Sequence, residues 1–311
     1  MHHSELTIRP ITGPEELDLF NTLPYVINHE LADDLDQGRR RPGWMWIALR
    51  GERLLARVAW WAHREGEPPA MLDIFDLADD LSSAERRDLG VQLVETAMAA
   101  VEAKDAEYSR FLPPTWHDDE QIRQGVEDRM AVLGEFGGRL LVERLRLHWA
   151  PGTPIAGPSE RLTFRPVRDR DELVTLMTVV LEGTLDAHSL VELTEMTPEQ
   201  SASAQYDNEL ATFRTPHDWW RVGVSPDGEP VGFVIPARNS YNPIIAYVGV
   251  LPAHRGHGYI DDLLAEGTRI LAAQNVPHIR ASTDIGNVPM ARAFDRAGYA
   301  VFEREINMTW S

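Results

Sequence analysis

The chain repeats itself once, and that repeat constrains its fold more than any other feature. Leu6-Thr7-Ile8-Arg9-Pro10-Ile11 returns as Leu162-Thr163-Phe164-Arg165-Pro166-Val167, and Glu16-Leu17 returns at the same offset as Glu172-Leu173. The halves also close alike. Leu145, Leu147 and Trp149 alternate in the first, as Ile306, Met308 and Trp310 do in the second. Alternation with period two reads as a half-buried strand, so each half opens with a strand, enters a helix and ends on a strand. A single repeat across 311 residues points to two related domains of ordinary size. The Pro/Gly-rich stretch from Ala150 to Ser159 suits a linker. The expected division is 1–150, a linker at 151–161, and 162–311.

Composition removes several classes of function. The chain has no cysteine, which excludes disulfides, cysteine–zinc sites and a thiol nucleophile, and no metal site is expected. Lys104 is its only lysine and lies in a polar stretch that reads as solvated surface, so Schiff-base chemistry has no good candidate. No Gly-Lys-Ser/Thr loop occurs. A formal net charge of −19 argues against nucleic acid, whose phosphates need a basic face, and is compatible with a cationic partner. The apolar run Ile244–Leu251 is far short of the ~20 residues that span a bilayer, so no membrane role is expected. The N-terminus lacks the pattern of a secretion signal, and a cytoplasmic location is the expectation.

Strands are predicted at Trp220–Val224, Pro230–Ile235 and Ile244–Leu251, the first two joined by the turn Ser225-Pro226-Asp227-Gly228. Ile260, Leu263, Leu264, Gly267, Ile270 and Leu271 then recur at helical spacing. A strand at His278–Ser282 follows, then a helix opening after Asn287 and ending at Gly298, and a final strand. The fold class is α/β (α+β), a mixed sheet flanked by helices in each half.

Between the strand and the amphipathic helix lies His254-Arg255-Gly256-His257-Gly258-Tyr259. Glycines there let backbone N–H groups converge, and a helix N-terminus adds about half a positive charge, so an anionic ligand is favoured. Arg255 and the two histidines place positive side chains beside the same point. The third glycine of the dinucleotide fingerprint is missing. Asp261 and Asp262 read as stabilisers of the helix N-terminus. Trp219-Trp220 reads as strand-edge packing, and Arg39-Arg40-Arg41 as solvated or paired with Asp33, Asp34 and Asp36.

Val250-Leu251-Pro252-Ala253-His254-Arg255-Gly256-His257-Gly258 resembles the acyl-CoA loop of the GNAT acetyltransferases. Asn287, Met290, Phe294 and Gly298-Tyr299 are similar to that family's second motif. The resemblance covers about 160–310 and implies acetyl-CoA as cosubstrate and a mostly antiparallel sheet. It implies cofactor contacts from Val248, Gly249, Val250, Arg255, Gly256, His257, Gly258, Tyr259, Ile260, Asn287 and Phe294. It further implies direct acetyl transfer to an amine, with an amide near Val248–Val250 serving the carbonyl. Ile260 stands where the family usually has Gly or Ala, and Phe294 where a tyrosine acid is frequent. The first half resembles a degenerate copy, since Asp73–Asp80 offers carboxylates and no glycine pair; it is expected to be non-catalytic.

Tyr247 and Asp284 are the nearest catalytic candidates by position, and each also has a structural reading. Asp186 and His188 are candidate acceptor contacts. The expected function is acetyl transfer from acetyl-CoA to a primary amine, the acceptor being a small cationic molecule such as a basic antibiotic, by a monomer or homodimer. The alternative is a non-catalytic acyl-CoA-binding sensor or scaffold.

Overall fold

In the computed structural model, which describes residues 5–103 and 106–310, the repeat is visible at the level of single hydrogen bonds. Lys104 lies outside the described residues. Arg9 grips Glu16 through both terminal nitrogens at 2.7 and 2.6 Å, and the Thr12 amide donates to the same carboxylate at 2.7 Å. Arg165 grips Glu172 at 2.9 and 2.6 Å, and the Arg168 amide donates at 2.7 Å. In each clasp a forked guanidinium meets a carboxylate in plane, the strongest geometry for such a pair.

Contacts divide the chain into two units, Met1–Val142 with Glu305–Ser311, and Glu143–Arg304. The strand ends of the repeats are thus assigned crosswise: Glu305–Thr309 belongs to the first unit and Glu143–Trp149 to the second. In the first unit, β1 (Leu6–Pro10) is followed by α1 (Leu17–Phe20), α2 (Leu31–Asp36), β2 (Met45–Arg50), β3 (Arg53–Trp61) and β4 (Met71–Leu77). β1 to β4 form an antiparallel meander. α3 (Ser83–Ala100), β5 (Glu107–Leu112) and α4 (Glu120–Glu135) complete it. β5 is parallel to β4, but only Met71 and Leu72 find partners, Glu107 and Tyr108. α3 and α4 bury Leu93, Val94, Val132 and Leu133 against one sheet face. Phe20 and Leu31 cover the other.

In the second unit, β6 (Arg139–Trp149) supplies Arg144–Trp149 as the antiparallel neighbour of β11. The chain then runs β7 (Thr163–Pro166), α5 (Arg170–Val180), α6 (Ala187–Glu195), α7 (Pro198–Asn208), β8 (Arg221–Val224), β9 (Pro230–Arg238) and β10 (Pro243–Val250). It continues with α8 (Tyr259–Ala272), β11 (Ile279–Asp284), α9 (Val288–Arg296) and β12 (Ala300–Thr309). β7 to β10 pair antiparallel in sequence order. α8 and α9 bury Leu263, Leu264, Leu271 and Phe294 on one face, and α5 buries Leu173 and Met177 on the other. Trp220 is fully packed in that second layer, a core residue rather than an edge one. Arg39 and Arg40 are paired as expected but not solvated: Arg40 is buried between Asp34 and Asp73. No described helix is long and apolar enough to cross a membrane.

The clasps carry a pH signature. Arg165 first, and Arg168 with its amide, hold the Glu172 carboxyl down at about 2, below its ordinary 4.5. A depressed carboxylate contributes stability above its unfolded pKa, and the contribution disappears as pH falls towards 2. Because both arginines keep water contact, Glu172→Gln is expected to cost about 1–2 kcal/mol at pH 7. The cost vanishes near pH 2. Urea denaturation of both proteins across that range checks it.

Candidate active site

β10 and β11 run parallel, and only Ile244 and Arg280 are paired. Beyond that point they part, and a bulge at Ala246 bends β10 away from its β9 register. A strand edge without a neighbour leaves N–H and C=O groups unpaired. Here the gap opens a cavity of about 530 Å³, lined by Ile245–Val250 on one side and Ser282 and Thr283 on the other.

At one end of the cavity lies the Gly-rich loop. Gly256 and Gly258 take φ of +79° and +74°, the left-handed region that glycine enters without cost. Gly258 is the N-cap of α8 and offers no side-chain cap. The amides of Gly256, His257 and Gly258 donate to no acceptor among the described residues. With the first-turn amides of α8 they form an uncapped donor cluster at the positive end of a helix dipole. Gly256, Gly258, Tyr259 and Ile260 line the cavity there. Ile260 also packs its side chain onto the core beneath α8.

The side chains of the loop do other work than expected. The Arg255 guanidinium donates to three carbonyls, Val250 at 3.1 Å, Glu182 at 2.6 Å and Val180 at 2.7 Å. It therefore caps the end of α5 and ties it to the loop, and Arg255 also lines the cavity. The His257 ring is absent from the cavity wall, and its Nδ1 hydrogen-bonds the Arg255 carbonyl at 3.0 Å. Arg161 straps the loop from outside, donating to the His257 and Gly258 carbonyls and pairing with Asp262. Asp261 pairs with Arg296 at 2.7 Å, so both early carboxylates of α8 are neutralised locally.

Along the cavity, Asn287 caps α9, its side chain accepting from the Met290 amide at 3.3 Å. Asn287, Met290 and Phe294 all reach the wall. Phe294 is nearly fully buried and meets the ring of Tyr299 edge-on at 5.2 Å. The Tyr299 hydroxyl is committed to Thr268 at 2.8 Å. Burial pushes its ionisation well above the ordinary tyrosine range. This helix thus offers no proton donor to the cavity.

The rest of the wall carries one carboxylate, Asp186, and one guanidinium, Arg144, together with Ser189, Gln205 and Tyr247. Burial, then the charges of Asp186 and Glu192, push the Tyr247 phenol far above its usual pKa. Tyr247 is therefore an O–H donor at neutral pH, and the base role open to it by position does not suit it. Asp284 is buried, with one oxygen on Arg144 at 3.0 Å and the other on the Ala187 amide at 2.7 Å. It lies outside the wall. His188 does not reach the cavity, whereas Asp186 does. Residues that sequence reasoning missed are Arg144, Gln205, Glu192 and Glu209. Although Glu209 keeps solvent-facing surface, burial by surrounding protein and then Glu192 raise its carboxyl. No sequence motif marks any of them; they come from helices and a strand remote from the loop.

The first unit solves the same problem differently. Beyond Leu72 the edge of β4 is met by side chains: Arg129 Nε donates to the Phe75 carbonyl at 2.7 Å. Asp76, buried, takes Arg57 at 2.8 Å and Arg110 at 2.9 Å. Asp73 pairs with Arg40. The N-terminus of α3 is closed by its own capping box, Ser82 with Glu85. A carboxylate already occupies the place an anion would take.

Residues 187–299 match the family model described as acetyltransferase (GNAT) family. The chain carries a GNAT acetyltransferase domain. The match marks that domain as an acyltransferase domain, of a family whose cosubstrate is acetyl-CoA, and the uncapped amides and open cleft fit that group. Among solved structures the chain is similar to a GCN5-related N-acetyltransferase from Sphaerobacter thermophilus. Their TM-score is 0.60 at 16% identity, over 97% of this chain and 94% of that one. It is also similar to a tandem GNAT protein from the clavulanic acid biosynthesis pathway, with TM-score 0.55 at 15% identity over 98% of both chains. These likenesses concern the fold, mixed α/β and of tandem GNAT type. No curated protein matches the chain.

Two substitutions test the contrast between the units. Asp76→Asn leaves Arg57, Arg110 and Arg129 facing one another inside the first unit, and should cost about 3–5 kcal/mol in urea denaturation. Arg255→Ala strands three carbonyls and should lower stability by about 1–3 kcal/mol, seen in the same measurement.

Proposed function

We propose that the GNAT domain transfers acetyl from acetyl-CoA to a primary amine by direct attack, without an acyl-enzyme. The observation that carries this reading is the run of unpaired amides from Gly256 to Gly258 at the mouth of the β10–β11 cleft. Those amides and the α8 dipole would hold the pyrophosphate. The edge of β10 at Val248–Val250 would receive the pantetheine arm and the thioester carbonyl, with Asn287 and Phe294 along the opposite wall. The absence of cysteine is consistent with direct attack. What the chain must then supply is alignment, a donor to the developing oxyanion and an acceptor for the ammonium proton.

The acceptor is a small cationic amine, with a basic antibiotic one member of that class. Asp186 at the wall and Glu192 and Glu209 near it favour a cation, while Arg144 already spends its charge on Asp284. Tyr247, at the cavity wall, is the better-placed hydrogen-bond donor. The repeats 1–150 and 162–311 are read as tandem domains with the first non-catalytic, in a cytoplasmic monomer or homodimer.

Phe294 and the committed Tyr299 favour a second reading, an acyl-CoA-binding sensor that does not turn over. A panel of amines separates the two, with CoA release followed by a thiol reagent that finds no cysteine on the protein. Release with polyamines and basic antibiotics is the expected result. Tight acetyl-CoA binding with no release across cationic and neutral amines would favour the sensor. For the cofactor, Gly258→Asp should weaken acetyl-CoA binding at least tenfold in calorimetry, and unchanged affinity would contradict the assignment.

A further inference from the structure

α6 reaches the cavity wall through Ser189, yet none of its nine residues is buried. A helix that short draws its stability from packing an apolar face, and α6 has little such packing. Leu193 packs on the core and Glu192 accepts from the buried Ser201 hydroxyl at 2.6 Å, which hold the middle and far end of the helix; its N-terminus is held by other bonds. Its first residue, Ala187, donates its amide to Asp284 Oδ2 at 2.7 Å. The residue before it, Asp186, is the N-cap, with Oδ1 accepting from the Ser189 amide and hydroxyl at 2.9 Å each. Asp284 is in turn fixed by Arg144, which stands directly opposite it across the β6–β11 ladder and donates from Nε at 3.0 Å. Arg144, Asp186 and Ser189 all line the cavity, whereas Asp284 is buried behind it.

We infer that Arg144 is a positioning residue for the acceptor: through Asp284 it anchors the N-terminus of α6 and thereby sets the Asp186 carboxylate at the cavity wall, where an approaching ammonium would meet it. The inference rests on the acyl-transfer reading above and adds the element that orients the amine. Without Arg144, Asp284 would be an uncompensated buried carboxylate. It would take up a proton or draw in water, and its grip on the Ala187 amide would weaken. Arg255 joins the pyrophosphate loop to Val180 and Glu182, but no residue of the loop belongs to the Arg144–Asp284–Ala187 chain of bonds, so acetyl-CoA binding is expected to change little. A lysine at 144 can still reach a carboxylate, as a point charge without the fork.

Three variants test this: Arg144→Met, Arg144→Lys and Asp284→Asn. Hydrogen exchange by mass spectrometry on the intact protein should show at least tenfold faster exchange for peptides covering 184–192 in Arg144→Met. Arg144→Lys should restore most of the protection, and acetyl-CoA affinity by calorimetry should stay within twofold of the unaltered protein. Asp284→Asn keeps an oxygen for Ala187 but loses the ion pair, and should fall between the two. With an amine that supports CoA release, Arg144→Met should raise KM for the amine at least tenfold while KM for acetyl-CoA stays within twofold. Unchanged exchange at 184–192 would overturn the inference. So would loss of protection spread through β11 together with weakened acetyl-CoA binding, since that marks a merely structural pair. Failure of the acyl-transfer reading itself would appear separately, as absence of acetyl-CoA binding, or of CoA release across the amine panel, in the unaltered protein.

Discussion

Parting two parallel strands after one or two paired residues leaves backbone donors and acceptors with no partner. Each unit of this chain contains such a parting, after Leu72 and Tyr108 in one and after Ile244 and Arg280 in the other. Buried polar backbone has to be satisfied by something. In the first unit the partners are side chains, with Arg129 on the Phe75 carbonyl and a buried ion cluster around Asp76. In the second the edge is left open to a cavity, and the helix that follows begins without a cap. The same fold thus gives a filled groove or a binding cleft according to what closes the strand edge.

The second consequence is electrostatic. A chain with net charge −19 would repel a phosphorylated cosubstrate unless positive potential were concentrated locally. The concentration comes from main-chain amides together with Arg255, which lines the cavity and has carbonyl partners that leave its charge uncancelled. Arg255 also ties α5 to the loop, Arg161 straps it, and Arg296 neutralises Asp261. These arginines shape the nest and cancel nearby carboxylates, while the amides remain available. Away from the loop the wall carries Asp186 and the already paired Arg144, with Glu192 and Glu209 behind it near Tyr247.

Much of this was legible in the order of residues. The repeat announced two related units, and the Arg9–Glu16 and Arg165–Glu172 clasps are its physical content. The Gly256 and Gly258 spacing located the nest because positive φ is a local demand that glycine alone meets cheaply. The predicted strands on either side of it fall within a few residues of β8, β9, β10 and β11. What could not be read were long-range partners. Nothing near Arg255 in sequence shows that its guanidinium would find the carbonyls of Val180 and Glu182. Nor does the chain near Asp284 show that Arg144 would arrive beside it on β6. For the same reason Asp284 could be named only as a catalytic candidate with a structural reading beside it, and its bonds to Arg144 and the Ala187 amide make it an internal fastening.

One observation bears on the central claim more directly than any substitution: the number of acetyl-CoA molecules that one chain holds, counted by native mass spectrometry. The filled groove of the first unit and the open cleft of the second require a stoichiometry of one. Two molecules per chain, or none at saturating concentration, would contradict the account.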